Sequence, residues 1–126
     1  MALSEAEWKV MEALWERSPA TVRDVLGRLP AGTGWAYTTV KTILERLAVK
    51  GAIRRRQRDR AGWFEPVITR KKARRTAVRS LLDRAFDGAF GSLLHHLVSE
   101  EKIPARDRRR LIELLEEGDR RKGEGR

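Results

Sequence analysis

The chain has 126 residues, 40% of them hydrophobic, and 28 Lys and Arg against 18 Asp and Glu give a formal net charge of +10. This length allows one domain, or a small domain plus an oligomerisation segment, and we expect the second. The excess charge predicts a polyanionic partner. The absence of Cys excludes thiolate metal sites, disulfides and Cys nucleophiles. Since no apolar run is long enough for a membrane span and no signal-peptide pattern is present, we expect a cytoplasmic protein that does not bind membranes.

Three short helices are predicted in the first 51 residues. The first has Ser4 as its N-cap and Glu7 in position to complete a capping box, and Pro19 ends it. The second runs from about Thr21, its cap, to Leu29. The third covers 38–51, because its apolar residues have the spacing of one buried helical face: Val40, Ile43, Leu44 and Leu47.

The third helix has a polar outward face, formed by Thr38, Lys41, Thr42, Glu45 and Arg46. Two strands, 52–58 and 63–67, then flank a turn at 59–62, and Pro66 confines the second strand to an edge or to its last residues. Three helices followed by a basic hairpin is the order of a winged helix-turn-helix, whose third helix enters the DNA major groove. The hairpin residues predicted to attract phosphates are Arg54, Arg56, Arg58 and Arg60. Strand alternation leaves open which of them face DNA.

The second half of the chain is predicted to be helical, in segments at 69–88, 89–98 and 105–117. Their short apolar faces cannot enclose a core within one chain, so we expect burial against a second copy. The fold class is therefore mainly α: a winged helix-turn-helix DNA-binding domain at 1–68, a helical dimerisation domain at 69–117 and a disordered tail at 118–126. The predicted dimer interface consists of Leu81, Phe86, Phe90, Leu93, Leu94, Leu97, Leu111, Ile112, Leu114 and Leu115.

No pattern of residues indicates catalysis, a metal or a cofactor. His95 and His96 are adjacent and therefore lie on different helical faces, and the nearby acidic residues have no recognised ligand spacing. Ser and His form no known nucleophilic motif, and there is no Gly-rich phosphate loop. We expect a protein that is not an enzyme and that uses no cofactor.

An ordered set of segments resembles the penicillinase-repressor (BlaI/MecI) family over roughly residues 3–117. The segments are "LSEAEWKVMEALWERSP", "TVRDVLGRL", "GWAYTTVKTILERLAVKGAI", "RAGWFEPVITRKKAR", "FDGAFGSLLHHLVSEEKI" and "LIELLEE". The resemblance implies a homodimeric winged-helix repressor whose C-terminal helices form the dimer. It also implies a palindromic operator upstream of antibiotic-resistance genes, and release when a membrane sensor triggers proteolysis of the repressor.

The resemblance also implies roles for single residues. Positions of DNA contact or support around the recognition helix fall on Trp35, Thr39, Lys41, Thr42 and Arg46. Thr38 stands where family members commonly carry Lys, and Ala36 stands where a Ser usually caps, so Thr38 either contacts DNA or caps a shorter helix. The cleavage site falls on the bond between His96 and Leu97, where the pair commonly reads Asn-Phe. A different protease or a small-molecule inducer is the alternative.

Two other classes of function fit the composition. A nonspecific RNA-binding or RNA-chaperone protein would use the same basic surface, ignore sequence and prefer single strands or A-form duplex. A purely structural interaction module would not shift DNA at physiological salt.

Overall fold

The computed structural model describes residues 1–58 and 60–124, with the backbone alone for Arg58 and 121–124. The chain forms two compact units that divide between Leu81 and Leu82. The elements in chain order are α1 (Glu5–Glu16), α2 (Val22–Arg28), α3 (Tyr37–Lys50), β1 (Ile53–Arg58), β2 (Ala61–Pro66), α4 (Arg70–Ala85), α5 (Phe90–Glu100) and α6 (Ala105–Glu124). The mainly helical fold with a two-stranded hairpin confirms the predicted class.

Reciprocal capping boxes start the first two helices. At α1, the Glu7 amide donates to Ser4 Oγ at 3.2 Å and the Ser4 amide donates to Glu7 Oε1 at 2.8 Å, as predicted. Thr21 and Asp24 repeat this pattern at α2, with distances of 3.2 and 3.0 Å. Each box satisfies two amides that the helix itself cannot pair, so both helix starts are fixed locally.

The core of the first unit lies between α1, α2, α3 and the base of the hairpin. Its largest fully buried side chains are Met11, Leu14, Leu44, Leu47, Val10, Val25 and Val40. Trp8 and Trp15 lie at the edge of this core, half-buried, with their rings in an edge-to-face contact at 5.7 Å. Trp15 Nε1 also donates to the Ile68 carbonyl at 3.0 Å, which fixes the chain just before α4.

An isolated antiparallel β-bridge attaches the hairpin to the helices. Phe64, which is buried, exchanges two backbone hydrogen bonds with Ala20 at 2.8 and 2.9 Å, in the connection between α1 and α2. The two hairpin strands are antiparallel, with Arg58 opposite Ala61. The second strand therefore begins two residues before the predicted Trp63, because Ala61 and Gly62 pair instead of turning. Pro66 is its last residue, as expected.

The third helix begins one residue earlier than predicted. Its N-cap is Ala36, which supplies no side-chain hydrogen bond, and Thr38 lies inside the first turn. Thr38 is therefore not the cap. The helix ends at Gly51, whose φ of 84° is the left-handed conformation that glycine adopts at little cost.

The second unit carries the remaining apolar helices, and its tail differs from the prediction. The expected disordered segment 118–126 is helical as far as Glu124, as a continuation of α6 past Gly118, and 125–126 lie outside the described residues. The first unit extends 13 residues beyond the predicted boundary at 68, and Ala73 of α4 joins its core. Among the described residues, no helix is long and apolar enough to cross a membrane.

Candidate nucleic-acid interface

The outward face of α3 is a continuous polar surface. All five predicted helix residues other than Trp35 are exposed: Thr38, Thr39, Lys41, Thr42 and Arg46. The Thr42 hydroxyl donates to the Thr38 carbonyl at 2.9 Å, which leaves its oxygen to accept from a ligand. The face therefore offers hydroxyls, one ammonium and one guanidinium, and these groups can bind base edges and phosphates in a groove.

Trp35 supports this helix from behind. Its ring is half-buried against the core, and Lys9 Nζ lies 5.6 Å from the ring centroid. A ring held this way fixes the chain at the entry to α3, which favours the supporting role over direct DNA contact.

The hairpin arginines fall on two faces. Arg54 and Arg56 share the outer face with Glu65, and both Nε atoms contact Glu65 Oε1, at 3.0 and 2.9 Å. One carboxylate thus partly neutralises two predicted phosphate contacts. The prediction for the Arg58 side chain lies outside the described residues.

Arg55, which is not among the residues predicted to bind phosphates, lies on the inner face of the hairpin. It is directly opposite Phe64, and its guanidinium carbon is 5.9 Å from the Phe64 ring centroid. Because Phe64 points towards the helices, Arg55 lies on the side of α3. The sequence contains a signal for this position. Whether the hairpin loop has two or four residues, Phe64 lies opposite an odd-numbered residue of β1. If the apolar Phe64 faces the core, the odd-numbered residues of β1, including Arg55, therefore lie on the inner face.

The far end of α3 is joined to the start of α1 by an ion pair. Lys50 Nζ lies 2.6 Å from Glu7 Oε1 and donates to the Ala2 carbonyl at 2.9 Å. Burial opposes ionisation of Glu7, but the hydrogen bonds from Lys50 and Ser4 outweigh it and lower its pKa. The pKa of Asp24 is lowered as well, first by the hydrogen bond from the Thr21 amide. The Glu7–Lys50 ion pair joins α1 to α3, and Asp24 stabilises the start of α2.

The predicted cleavage bond lies inside a helix. His96 and Leu97 are in the second half of α5, with Leu97 half-buried and the His96 ring 6.0 Å from that of Phe86. Because proteases bind extended chains, a cut here would require α5 to unwind locally. In the described part of the chain, no three His, Asp or Glu residues are grouped as metal ligands.

The predicted dimer residues are mostly uncovered in the single chain. Phe86, Leu93 and Leu97 are half-buried, and the exposed members are Leu81, Phe90, Leu94, Leu111, Ile112, Leu114 and Leu115.

Comparison with known proteins identifies relatives along nearly the whole chain. The family model described as penicillinase repressor matches residues 3–117. The transcriptional regulator BlaI of Mycobacterium tuberculosis is 38% identical, over 89% of this chain and 84% of the relative. The penicillinase repressor of Bacillus licheniformis is 27% identical, over 97% and 95%. A solution structure of the monomeric form of Bacillus licheniformis BlaI in complex with the blaP half-operator is 29% identical, over 57% of this chain and 88% of that chain, with a TM-score of 0.49.

Proposed function

Because this chain belongs to the penicillinase repressor family, we propose that it is a transcriptional repressor that binds duplex DNA in a sequence-specific manner. The observation that carries this proposal is the exposed polar face of α3, with Lys41, Thr42 and Arg46, beside a cationic hairpin. A helix of this kind fits the major groove, and the hairpin arginines add attraction that does not depend on sequence.

The repressor acts as a homodimer on a palindromic operator. Support comes from the second unit: no residue of α5 is buried, and every described side chain of α6 is exposed, including Ile112 and Leu115. Apolar helix faces of this size gain free energy when a second copy covers them. Two linked readers then bind two half-sites.

The regulated genes are of the antibiotic-resistance type, as the name of the penicillinase repressor of Bacillus licheniformis suggests. The repressor works in the cytoplasm, and proteolysis between His96 and Leu97, triggered indirectly by a membrane sensor protease, releases it from DNA. A cut there would separate the apolar residues of α6 from the DNA-binding unit.

Selection of bound duplexes from a random pool at physiological salt, followed by footprinting, tests the proposal. We expect a two-fold symmetric site with half-site centres one helical turn, about 34 to 36 Å, or a multiple of it apart. Lys41→Ala should relax the base preference at one position per half-site. Equal affinity for scrambled duplexes, or a preference for single-stranded or A-form RNA, would contradict it and favour the RNA-binding alternative.

A further inference from the structure

A cleft of about 350 Å³ lies between α2, α3 and the inner face of the hairpin. Its walls include Thr21, which caps α2, Val22 from α2, Glu45 from α3, and Phe64 from β2. Four cationic side chains from these elements and the hairpin tip line it: Arg23, Lys41, Arg55 and Arg60. Among the described residues that line the cleft, four carry a positive charge and one, Glu45, carries a carboxylate, so these side chains attract an anion.

The position of Arg55 is fixed by the hairpin. Its guanidinium lies beside the Phe64 ring and across Gly62, where an added Cβ would be 3.6 Å from Nη2. Phe64 is in turn held by its two hydrogen bonds to Ala20. The guanidinium is therefore placed before any ligand arrives, which lowers the entropic cost of binding.

Arg23 is placed in a similar way from the opposite wall. Its guanidinium carbon lies 5.9 Å from the Tyr37 ring centroid, at the first residue of α3. In the part of the chain that the structure describes, Arg23, Lys41 and Arg55 form no ion pair, whereas Arg54 and Arg56 both pair with Glu65. Within these described residues, the three side chains thus keep their donors for a ligand.

The backbone of Arg60 is strained. Its φ of 68° is in the left-handed region, which costs a non-glycine residue about 1 kcal/mol or more. The conformation turns the hairpin at its tip and leaves a long cationic side chain on the wall of the cleft. A positive φ here, next to the paired residues Arg58 and Ala61, is what a tight hairpin turn requires.

We propose that this cleft binds one phosphate of the DNA backbone in each half-site, with Arg55 and Arg23 as its principal ligands. This proposal rests on the proposed function. When α3 occupies the DNA major groove, the DNA backbone that borders the groove passes between α3 and the hairpin. Guanidinium groups donate two parallel N–H bonds to phosphate oxygens, and charge-assisted bonds of this kind are strong. Lys41 lines the cleft and also lies on the outward face of α3, so it connects the phosphate site with the residues that contact the bases.

The test is a double-mutant cycle between protein and DNA. Each phosphate of the selected operator is replaced in turn by an uncharged methylphosphonate, and binding of wild type, Arg55→Ala and Arg23→Ala is measured. We expect each variant to bind the unmodified operator about 10- to 100-fold more weakly, with a salt slope smaller by up to about 0.9. When one particular phosphate per half-site is replaced by methylphosphonate, the same substitutions should weaken binding by less than about twofold.

Three controls separate this site from general charge loss. Arg54→Ala removes the same charge from the same strand but from the outer face, and its effect should be equal with and without that phosphate. Arg55→Lys keeps the charge without the two-pronged donor and should give an intermediate loss. Thermal unfolding of every variant checks that the loss of the contact with Phe64 leaves the fold intact, and Arg23→Ala tests the cleft without that contact.

The outcomes distinguish the two proposals. If wild type selects an operator but no phosphate couples to Arg55 or Arg23, the phosphate site is wrong and the repressor stands. If wild type selects no sequence, the repressor proposal fails. Binding of Arg55→Ala and Arg23→Ala to one random duplex is then compared with that of wild type. A salt slope that is unchanged in both variants would overturn the phosphate site as well. Millimolar inorganic phosphate should leave operator binding unchanged, because competition by it would indicate a site for free phosphate instead.

Discussion

Glu65 restrains the outer face of the hairpin. Its Oε1 contacts the Nε atoms of both Arg54 and Arg56, so two groups able to bind any phosphate are already paired in the free protein. An arginine must leave this carboxylate, or share it, before it binds DNA. Attraction that ignores sequence is thereby weakened, while the face of α3 is unaffected.

Replacing Glu65 with Gln should tighten binding to nonspecific duplex several-fold and steepen its salt dependence by about one to two phosphate contacts, because both guanidinium groups are released. The measurement is a salt titration of binding to a scrambled duplex. Stability should change by less than about 1 kcal/mol, since the arginine side chains of both ion pairs are largely exposed.

Glu16→Gln is the matched control, since it makes the same change in net charge at an exposed residue of α1. Equal tightening by the two variants would mean that net charge, and not release of the arginines, sets nonspecific affinity.

At the scale of the elements, the capping box of α1 is joined to the end of α3 through Glu7 and Lys50. The pKa of Glu7 is lowered in the folded state, so its ionised form stabilises the fold. This contribution is present above the carboxyl pKa of the unfolded chain and is lost as pH falls through the folded pKa. Asp24 contributes with the same sign.

Glu7→Gln should therefore destabilise the protein by about 1 kcal/mol near neutral pH. Gln still accepts the Ser4 amide hydrogen bond, so the substitution isolates the charge. The difference from wild type should become smaller as the pH falls from neutral to about 3, because protonation of Glu7 removes the charge that the substitution removes. Urea unfolding at both pH values measures it, and a difference that persisted in acid would point to packing instead of charge.

The helices were predictable because their signals are local. Ser4, Thr21 and Gly51 mark element ends by their own hydrogen bonding or conformation, and apolar spacing marks the buried faces. The hairpin was predictable in kind, but not in its turn: Ala61 and Gly62 look like loop residues, yet the attachment of Phe64 to Ala20 draws them into the strand. Ala20 and Phe64 are 44 residues apart in the sequence, so no local pattern predicts their contact.

The candidate site was predictable in part for the same reason. Helical periodicity alone gives the outward face of α3, whereas ion pairing by Glu65 depends on which residues lie across the hairpin. Arg23 enters the cleft through the packing of α2 on α3, which sequence spacing does not reveal.

For the whole molecule, we expect oligomeric state and affinity to change together. A chain truncated after His96 lacks α6 and should be monomeric, with operator affinity lower by about 10² to 10⁴, because two half-site readers are no longer linked. The DNA-binding unit, Met1–Leu81, should remain folded. Sedimentation and a gel shift with the full operator measure both effects.

Truncation after Glu117 is the control, because it retains the apolar residues of α6 from Leu111 to Leu115 and removes only its charged end. This protein should stay dimeric. A chain ending at His96 that remained dimeric with full affinity would show that α6 is dispensable for assembly and would contradict release by cleavage at this bond.

The attachment of Phe64 to Ala20 separates two properties on which selection acts. The hairpin is held by backbone hydrogen bonds and a buried ring, so the fold does not depend on its exposed charges. Substitutions at Arg54, Arg56 or Arg60 can therefore accumulate without loss of the native structure. Descendants of this sequence can adjust how fully an operator is occupied at a given cellular ionic strength while keeping the same bases as their target.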